Sequence, residues 1–118
     1  MWVAVLVMTL GAATITAVGW YAWLGKLPRQ HIAGIRTPYT MANDEQWYAT
    51  HKYGAPYLIF GGVATLAMSL AALPFAIAGA LPDAFATGVL GAGAFVILVA
   101  ALCSWFFGVK AAKAHLGQ

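Results

Sequence analysis

Three long runs of this chain carry no charged side chain, and they limit what the chain can fold into. The runs extend from Trp2 to Leu24, from Tyr53 to Pro82 and from Ala84 to Val109. Each is longer than the roughly 20 apolar residues that a helix needs to cross about 30 Å of hydrocarbon. Because 63% of the residues are hydrophobic and only 8% are charged, a soluble domain of this size is excluded. The sequence predicts an all-α membrane protein with three transmembrane helices.

The boundaries of these helices follow from prolines and charges. We predict a single membrane domain over residues 1–118, with spans near residues 2–24, 54–80 and 84–109 and a motif segment at residues 32–54. The first run is interpreted as a span and not as a signal peptide, because no basic residue precedes it. Pro56 suits the first turn of the second span. Pro74 is expected to kink that span near its end.

Basic residues set the expected orientation. They fall between the first and second runs and after the third, whereas the turn between the second and third runs carries only Asp83. Lysine and arginine favour the cytoplasmic side of a membrane. We therefore expect an outside N-terminus, and a cytoplasmic motif segment and C-terminus. The net charge of +3 is then explained by pairing with anionic headgroups of the lipid bilayer, and no nucleic-acid partner is expected.

Small residues recur along the predicted spans. Ala84, Gly88 and Ala92 are spaced four apart in the third, and Gly61 and Gly62 lie together in the second. Such residues let helices approach closely in lipid, so they predict tight packing within the chain, with a helix of another protein or with a second copy. The single cysteine, Cys103, has no intrachain disulfide partner. No ionisable side chain lies inside the spans, which argues against a proton relay or ion path.

The polar segment between the first two spans holds a predicted helix start. Asn43 is a suitable N-cap with Gln46 three residues later, and Thr40 is a rival cap. From there the spacing i, i+3, i+4 and i+7 places four residues on one face: Trp47, Thr50, His51 and Gly54. We predict a short amphipathic cytoplasmic helix that leads into the second span, with this face against the membrane or the bundle.

Arg36 and His51 are candidate functional side chains of this segment. Arg36 precedes Thr37 and Pro38 in an extended loop, where it is placed to pair with Glu45, stack on Trp47, or hold a phosphate or carboxylate from outside the chain. For His51 a structural hydrogen bond is favoured over ligand contact or catalysis, because the sequence shows no nucleophile and no second ligand at metal spacing. A meeting of His31 with His51 stays open. No catalytic residue, metal or cofactor is predicted.

The same segment resembles a known family signature. The run Ile32-Ala33-Gly34-Ile35-Arg36-Thr37-Pro38-Tyr39-Thr40, followed by Asn43, Glu45, Trp47, Thr50, His51 and Gly54, resembles the signature of the SdpI family, in which tryptophan is usual at the position of Tyr39. The resemblance implies a bacterial plasma-membrane protein, from a family named for an immunity protein that acts against a secreted antibacterial peptide and signals to a cytoplasmic repressor. The namesake type has more spans, so this chain resembles a short three-span version.

Two groups of residues follow from the signature. Candidates for binding a partner or ligand are Arg36, Thr37, Glu45, Trp47 and His51. Residues expected to fix the fold of the motif are Gly34, Pro38, Thr40, Asn43, Thr50 and Gly54.

Three functions remain open on the sequence. The first is a non-enzymatic immunity protein that binds a toxic peptide or relays its presence to a cytoplasmic regulator. The second is a small accessory subunit of a larger membrane complex. The third is a transporter or membrane enzyme that uses Arg36, Glu45 and His51, and it requires a polar cavity that reaches all three residues.

Overall fold

The fold consists of three long helices joined by one long loop and one tight turn. The structure, a computed structural model, describes residues 2–30 and 32–118. Helix α1 covers Trp2–Trp23, α2 covers Asp44–Ile77 and α3 covers Asp83–His115. All three are long and apolar enough to cross a membrane, and the described residues form no strand. The prediction of an all-helical protein with three membrane-crossing helices is confirmed.

Helix α2 is the centre of the bundle. It packs along α1 on one side and along α3 on the other, whereas α1 and α3 touch over a short stretch. The bundle measures 54 by 20 by 20 Å. We call the end that carries the long loop, the start of α2 and the finish of α3 the motif end, and the end with Trp2 and the α2–α3 turn the opposite end.

Glycines on two sides of α2 allow this close packing. Gly61 faces Ala100 of α3, and its neighbour Gly62 faces Thr16 of α1. A Cβ atom at either glycine would overlap the facing side chain. Lipid supplies no hydrophobic driving force between helices, so close contact between small residues is what holds such a bundle together.

The structure differs from the prediction at the start of α2. The predicted short amphipathic helix is not a separate element among the described residues, because residues 44–53 form the first turns of the 34-residue helix α2. Pro56 lies inside that helix and not at its start. A proline removes one backbone hydrogen bond, but the turns on both sides of Pro56 pack against α1, α3 and the loop and remain helical.

The other helix ends shift by a few residues. Helix α2 finishes at Ile77, soon after Pro74, and α3 runs beyond Val109 to His115. At about 1.5 Å per residue, α2 is about 51 Å long, well above the roughly 30 Å of a hydrocarbon core. Part of α2 therefore extends beyond the membrane at the motif end, where the loop packs on it.

Candidate functional site

The predicted site residues lie in one compact unit at the motif end, which we call the motif cap. It consists of the loop from Leu27 to Asn43 and the first turns of α2, as far as Gly54. His31 lies outside the described residues, so a meeting of His31 with His51 stays open.

Trp47 is the anchor of the motif cap. Its side chain is fully buried, and its Nε1–H donates to the carbonyl oxygen of Leu27 at 2.8 Å. The indole packs in one apolar cluster with Ala22 of α1, Leu27 of the loop and Ala55 of α2. A buried indole N–H needs a partner, and the Leu27 carbonyl supplies it. Trp47 thereby joins the end of α1, the loop and α2.

His51 holds the loop against α2 with both ring nitrogens. Its Nε2 accepts a hydrogen bond from the backbone N–H of Ile35 at 2.8 Å. Its Nδ1 lies 2.7 Å from the carbonyl oxygen of Trp47. Since a carbonyl only accepts, Nδ1 carries the hydrogen and the ring is neutral. With 1% exposure and its ring centroid 4.0 Å from that of Trp47, His51 has the environment of a structural side chain.

Gly34 is required by this contact. Its φ of +104° lies in the region that favours glycine, and a Cβ atom there would lie 2.6 Å from His51 Nε2 and 3.2 Å from the Trp47 ring. The loop backbone therefore rests directly on the two rings. Only a residue without a side chain allows both the backbone conformation and the approach.

Thr37, Pro38 and Thr40 form a turn that closes on itself. Thr40 Oγ1 accepts from the Thr37 N–H at 2.8 Å and donates to the Ile35 carbonyl at 2.7 Å. In return, Thr37 Oγ1 accepts from the Thr40 N–H at 3.2 Å. Thr40 is fully buried, so it belongs to this turn and does not cap α2.

Asn43 is the N-cap of α2, as predicted. Its Oδ1 accepts from the Gln46 N–H at 2.8 Å, and its Nδ2 donates to Gln46 Oε1 at 2.9 Å. Sequence reasoning missed the neighbouring ion pair, in which Arg29 Nε lies 3.3 Å from Asp44 Oδ1. A basic residue in the loop and an acid in the first helical turn were the signal that was available.

Two residues of the predicted helix face, Thr50 and Gly54, pack against α3. Ser104 Oγ donates to the Gly54 carbonyl oxygen at 2.9 Å, and a Cβ atom at Gly108 would lie 2.8 Å from the Thr50 carbonyl oxygen. Thr50 is fully buried, and its hydroxyl is one of two buried hydroxyls with no hydrogen-bond partner among the described residues. Sequence reasoning found Thr50 and Gly54 but missed their partners on α3, because helical spacing says nothing about the facing helix.

Arg36 and Glu45 remain at the surface of the motif cap. Glu45 lines an open cavity of about 450 Å³ together with Tyr48, Lys52 and His115. Neither Arg36 nor His51 lines that cavity. Whether Arg36, Thr37, Glu45, Trp47 or His51 binds a partner or ligand stays a prediction.

Residues at and just after the end of α3 also contact Tyr39, in the turn from Thr37 to Thr40. The Tyr39 hydroxyl donates to Gln118 Oε1 at 2.5 Å, and Lys113 Nζ lies 5.1 Å from the centre of the Tyr39 ring. This second distance is within the range of a cation–π contact. The motif cap is therefore held from both neighbouring helices.

The family is shown by a match that covers most of the chain. The model of the SdpI/YfhL protein family matches residues 26–110, a range that contains the whole signature, all of α2 and most of α3. The chain belongs to the SdpI/YfhL family. Comparison with curated proteins and with solved structures gave no match. Together with the three apolar helices, the family makes this a multi-pass membrane protein of SdpI type.

Replacing His51 tests how the SdpI-family signature holds its loop. We expect His51→Phe to destabilise the fold by about 1–3 kcal/mol, because the Ile35 N–H and the Trp47 carbonyl both lose their partner while an aromatic ring is kept. His51→Gln, which retains an acceptor, should lose less. Thermal unfolding in detergent measures both variants.

The matched control is His115→Phe, since His115 is exposed and its ring lies 5.5 Å from that of Tyr53. Its melting temperature should be close to that of the wild type. An equal loss of stability in His51→Phe and His115→Phe would contradict the role given to the Ile35 hydrogen bond.

Proposed function

We propose that this protein is a non-enzymatic binding protein of the bacterial plasma membrane, of the immunity type, and that its motif cap presents Arg36 to a cytoplasmic regulator. The observation that carries this proposal is how the signature residues are used. Trp47, His51 and Thr40 are buried and hydrogen-bonded inside the motif cap, whereas Arg36 of the same signature is exposed. That division suits a rigid platform with a recognition residue better than a reaction centre.

The geometry disfavours a transporter or enzyme. Such a function requires a polar cavity that reaches Arg36, Glu45 and His51 together. The cavity beside Glu45 includes neither of the other two, and both ring nitrogens of His51 are already used.

An accessory subunit of a larger membrane complex is the second candidate. It is favoured by the outer face of α3, where Gly88 and Gly91 have no atom within 4 Å of the position of a Cβ atom. Purification of a stoichiometric partner from native membranes, lost in a Gly88→Leu variant, would support this function over the first.

The proposed orientation places the motif cap in the cytoplasm and the N-terminus outside. A cysteine at the exposed Ala42, in a Cys103→Ser background, should react with a membrane-impermeant maleimide only after the membrane is opened. Labelling in intact cells would overturn the orientation and, with it, the cytoplasmic regulator as partner.

The function itself is tested in the native host. Deletion should sensitise cells to a membrane-active antibacterial peptide, and wild type on a plasmid should restore protection. Arg36→Ala is expected to accumulate in the membrane at the wild-type level and with a similar melting temperature, because Arg36 is exposed, but to give no protection. A parallel loss of folded protein would show that Arg36 serves the fold.

A further inference from the structure

An apolar cleft opens between α1 and α3 beneath the motif cap. Nearer the opposite end, Met8 of α1 lies against Gly93 of α3, and a Cβ atom at Gly93 would lie 2.5 Å from Met8 Sδ. Towards the motif end the two helices leave a cleft of about 280 Å³ between Val18 on one side and Ala101 on the other. Leu58 of α2 forms part of its wall.

The cleft is lined by apolar parts of the helices and by the loop. Its helical lining belongs to the charge-free parts of all three helices. At the motif end the lining changes to loop, contributed by Ala33, Gly34 and Ile35. Because the Ile35 N–H is bonded to His51, this end of the cleft is a fixed wall.

The motif end, where the cleft closes, carries an excess of basic residues. Arg36 directly follows Ile35, which lines the cleft, and Arg36 is exposed. All six lysine and arginine residues of the chain lie at the motif end, against two acids, Asp44 and Glu45. Asp44 is already paired with Arg29. Basic pockets between membrane helices are suited to anionic headgroups.

We propose that this cleft binds one anionic phospholipid, with an acyl chain between α1 and α3 and the phosphate at Arg36. The small volume decides the occupant, since a helix is about 10 Å across and does not fit, whereas part of one extended acyl chain does. The apolar lining excludes a free phosphate as the occupant. Arginine forms paired hydrogen bonds with phosphate oxygens. This proposal uses Arg36, as the proposed function does, but its test measures lipid binding alone, so the two proposals can fail separately.

The test uses delipidated wild-type protein in detergent, titrated with phosphatidylglycerol or with phosphatidylcholine of identical chains. Native mass spectrometry and the melting temperature report binding. We expect phosphatidylglycerol to be retained and to raise the melting temperature more than phosphatidylcholine does. Arg36→Gln should weaken phosphatidylglycerol binding about tenfold and remove the preference, because a charge-assisted hydrogen bond is lost. Lys26→Gln removes an equal charge from the loop and should keep the preference.

The acyl chain is tested separately. Ala101→Phe fills the cleft and should remove the binding of both lipids. Ala92→Phe, on the opposite side of α3 and also exposed, is the matched control and should bind as wild type. Both alanines are exposed, so neither phenylalanine enters the packed core.

Four results would overturn the proposal. The first three are equal binding of the two lipids by wild type, an equal loss of phosphatidylglycerol binding in Arg36→Gln and Lys26→Gln, and wild-type lipid binding by Ala101→Phe. A disulfide-linked dimer of Ala101→Cys, formed in membranes in a Cys103→Ser background, would assign the cleft to a second copy of the chain and also overturn it.

Discussion

Replacing Gly34 with alanine is expected to detach the loop from α2 and to lower the free energy of unfolding by about 2–4 kcal/mol. Two costs combine. A non-glycine residue at the φ of +104° is strained by about 1–3 kcal/mol. The new Cβ atom, 2.6 Å from His51 Nε2, must also push the loop away and break the Ile35 hydrogen bond, which leaves a buried group unpaired. Unfolding in detergent and protease cleavage between residues 32 and 42 measure the two consequences.

Gly25→Ala is the matched control for this prediction. Gly25 also has a positive φ, +71°, but no atom lies within 4 Å of its Cβ position. Its replacement should cost about 1 kcal/mol, the conformational part alone, and leave protease cleavage of the loop unchanged. If both glycine variants lower the free energy of unfolding equally and the loop stays protected from protease in each, the close approach of Gly34 to His51 contributes nothing to stability.

The fold was predictable from the sequence because its main determinant is local. The absence of charge from three runs of sufficient length defines three membrane-crossing helices without reference to any contact between them. The start of α2 was also local, since an asparagine cap and its glutamine partner are three residues apart. The continuity of α2 through Pro56 was not local. It depends on neighbours that hold the helix on both sides, so the sequence suggested a helix start at Pro56, where α2 is in fact continuous.

The motif cap was predictable only in part, because some of its contacts join residues that are distant in the sequence. Helical spacing placed Trp47 and His51 on one face, and both are buried. It did not reveal that His51 receives the N–H of Ile35, 16 residues earlier, because the path of an irregular loop is set by hydrogen bonds between distant residues. The Arg29–Asp44 pair and the cleft beneath Ala33–Ile35 were missed on the same ground.

The contact of α2 with α3 explains why the signature ends in a glycine. At Gly54 a Cβ atom would lie 2.5 Å from Ser104 Oγ and 2.7 Å from the Ser104 carbonyl oxygen. The Gly54 carbonyl also accepts the Ser104 hydroxyl. The backbone oxygen cannot rotate away, so any side chain at this position separates the two helices just below the motif cap.

Gly54→Ala should therefore lower the free energy of unfolding by about 1–3 kcal/mol, a typical cost of overpacking, although alanine favours a helix over glycine by about 1 kcal/mol. Ser104→Ala should not rescue it, since the carbonyl contact remains. Gly88→Ala is the control, because Gly88 lies within α3 with no atom within 4 Å of its Cβ position, and it should be neutral or stabilising. The free energy of unfolding should fall in Gly54→Ala and stay equal or rise in Gly88→Ala. Measured by unfolding in mixed detergent, this difference separates the effect of helix packing from that of helix propensity. A stabilised Gly54→Ala would mean that α2 and α3 do not touch at Ser104.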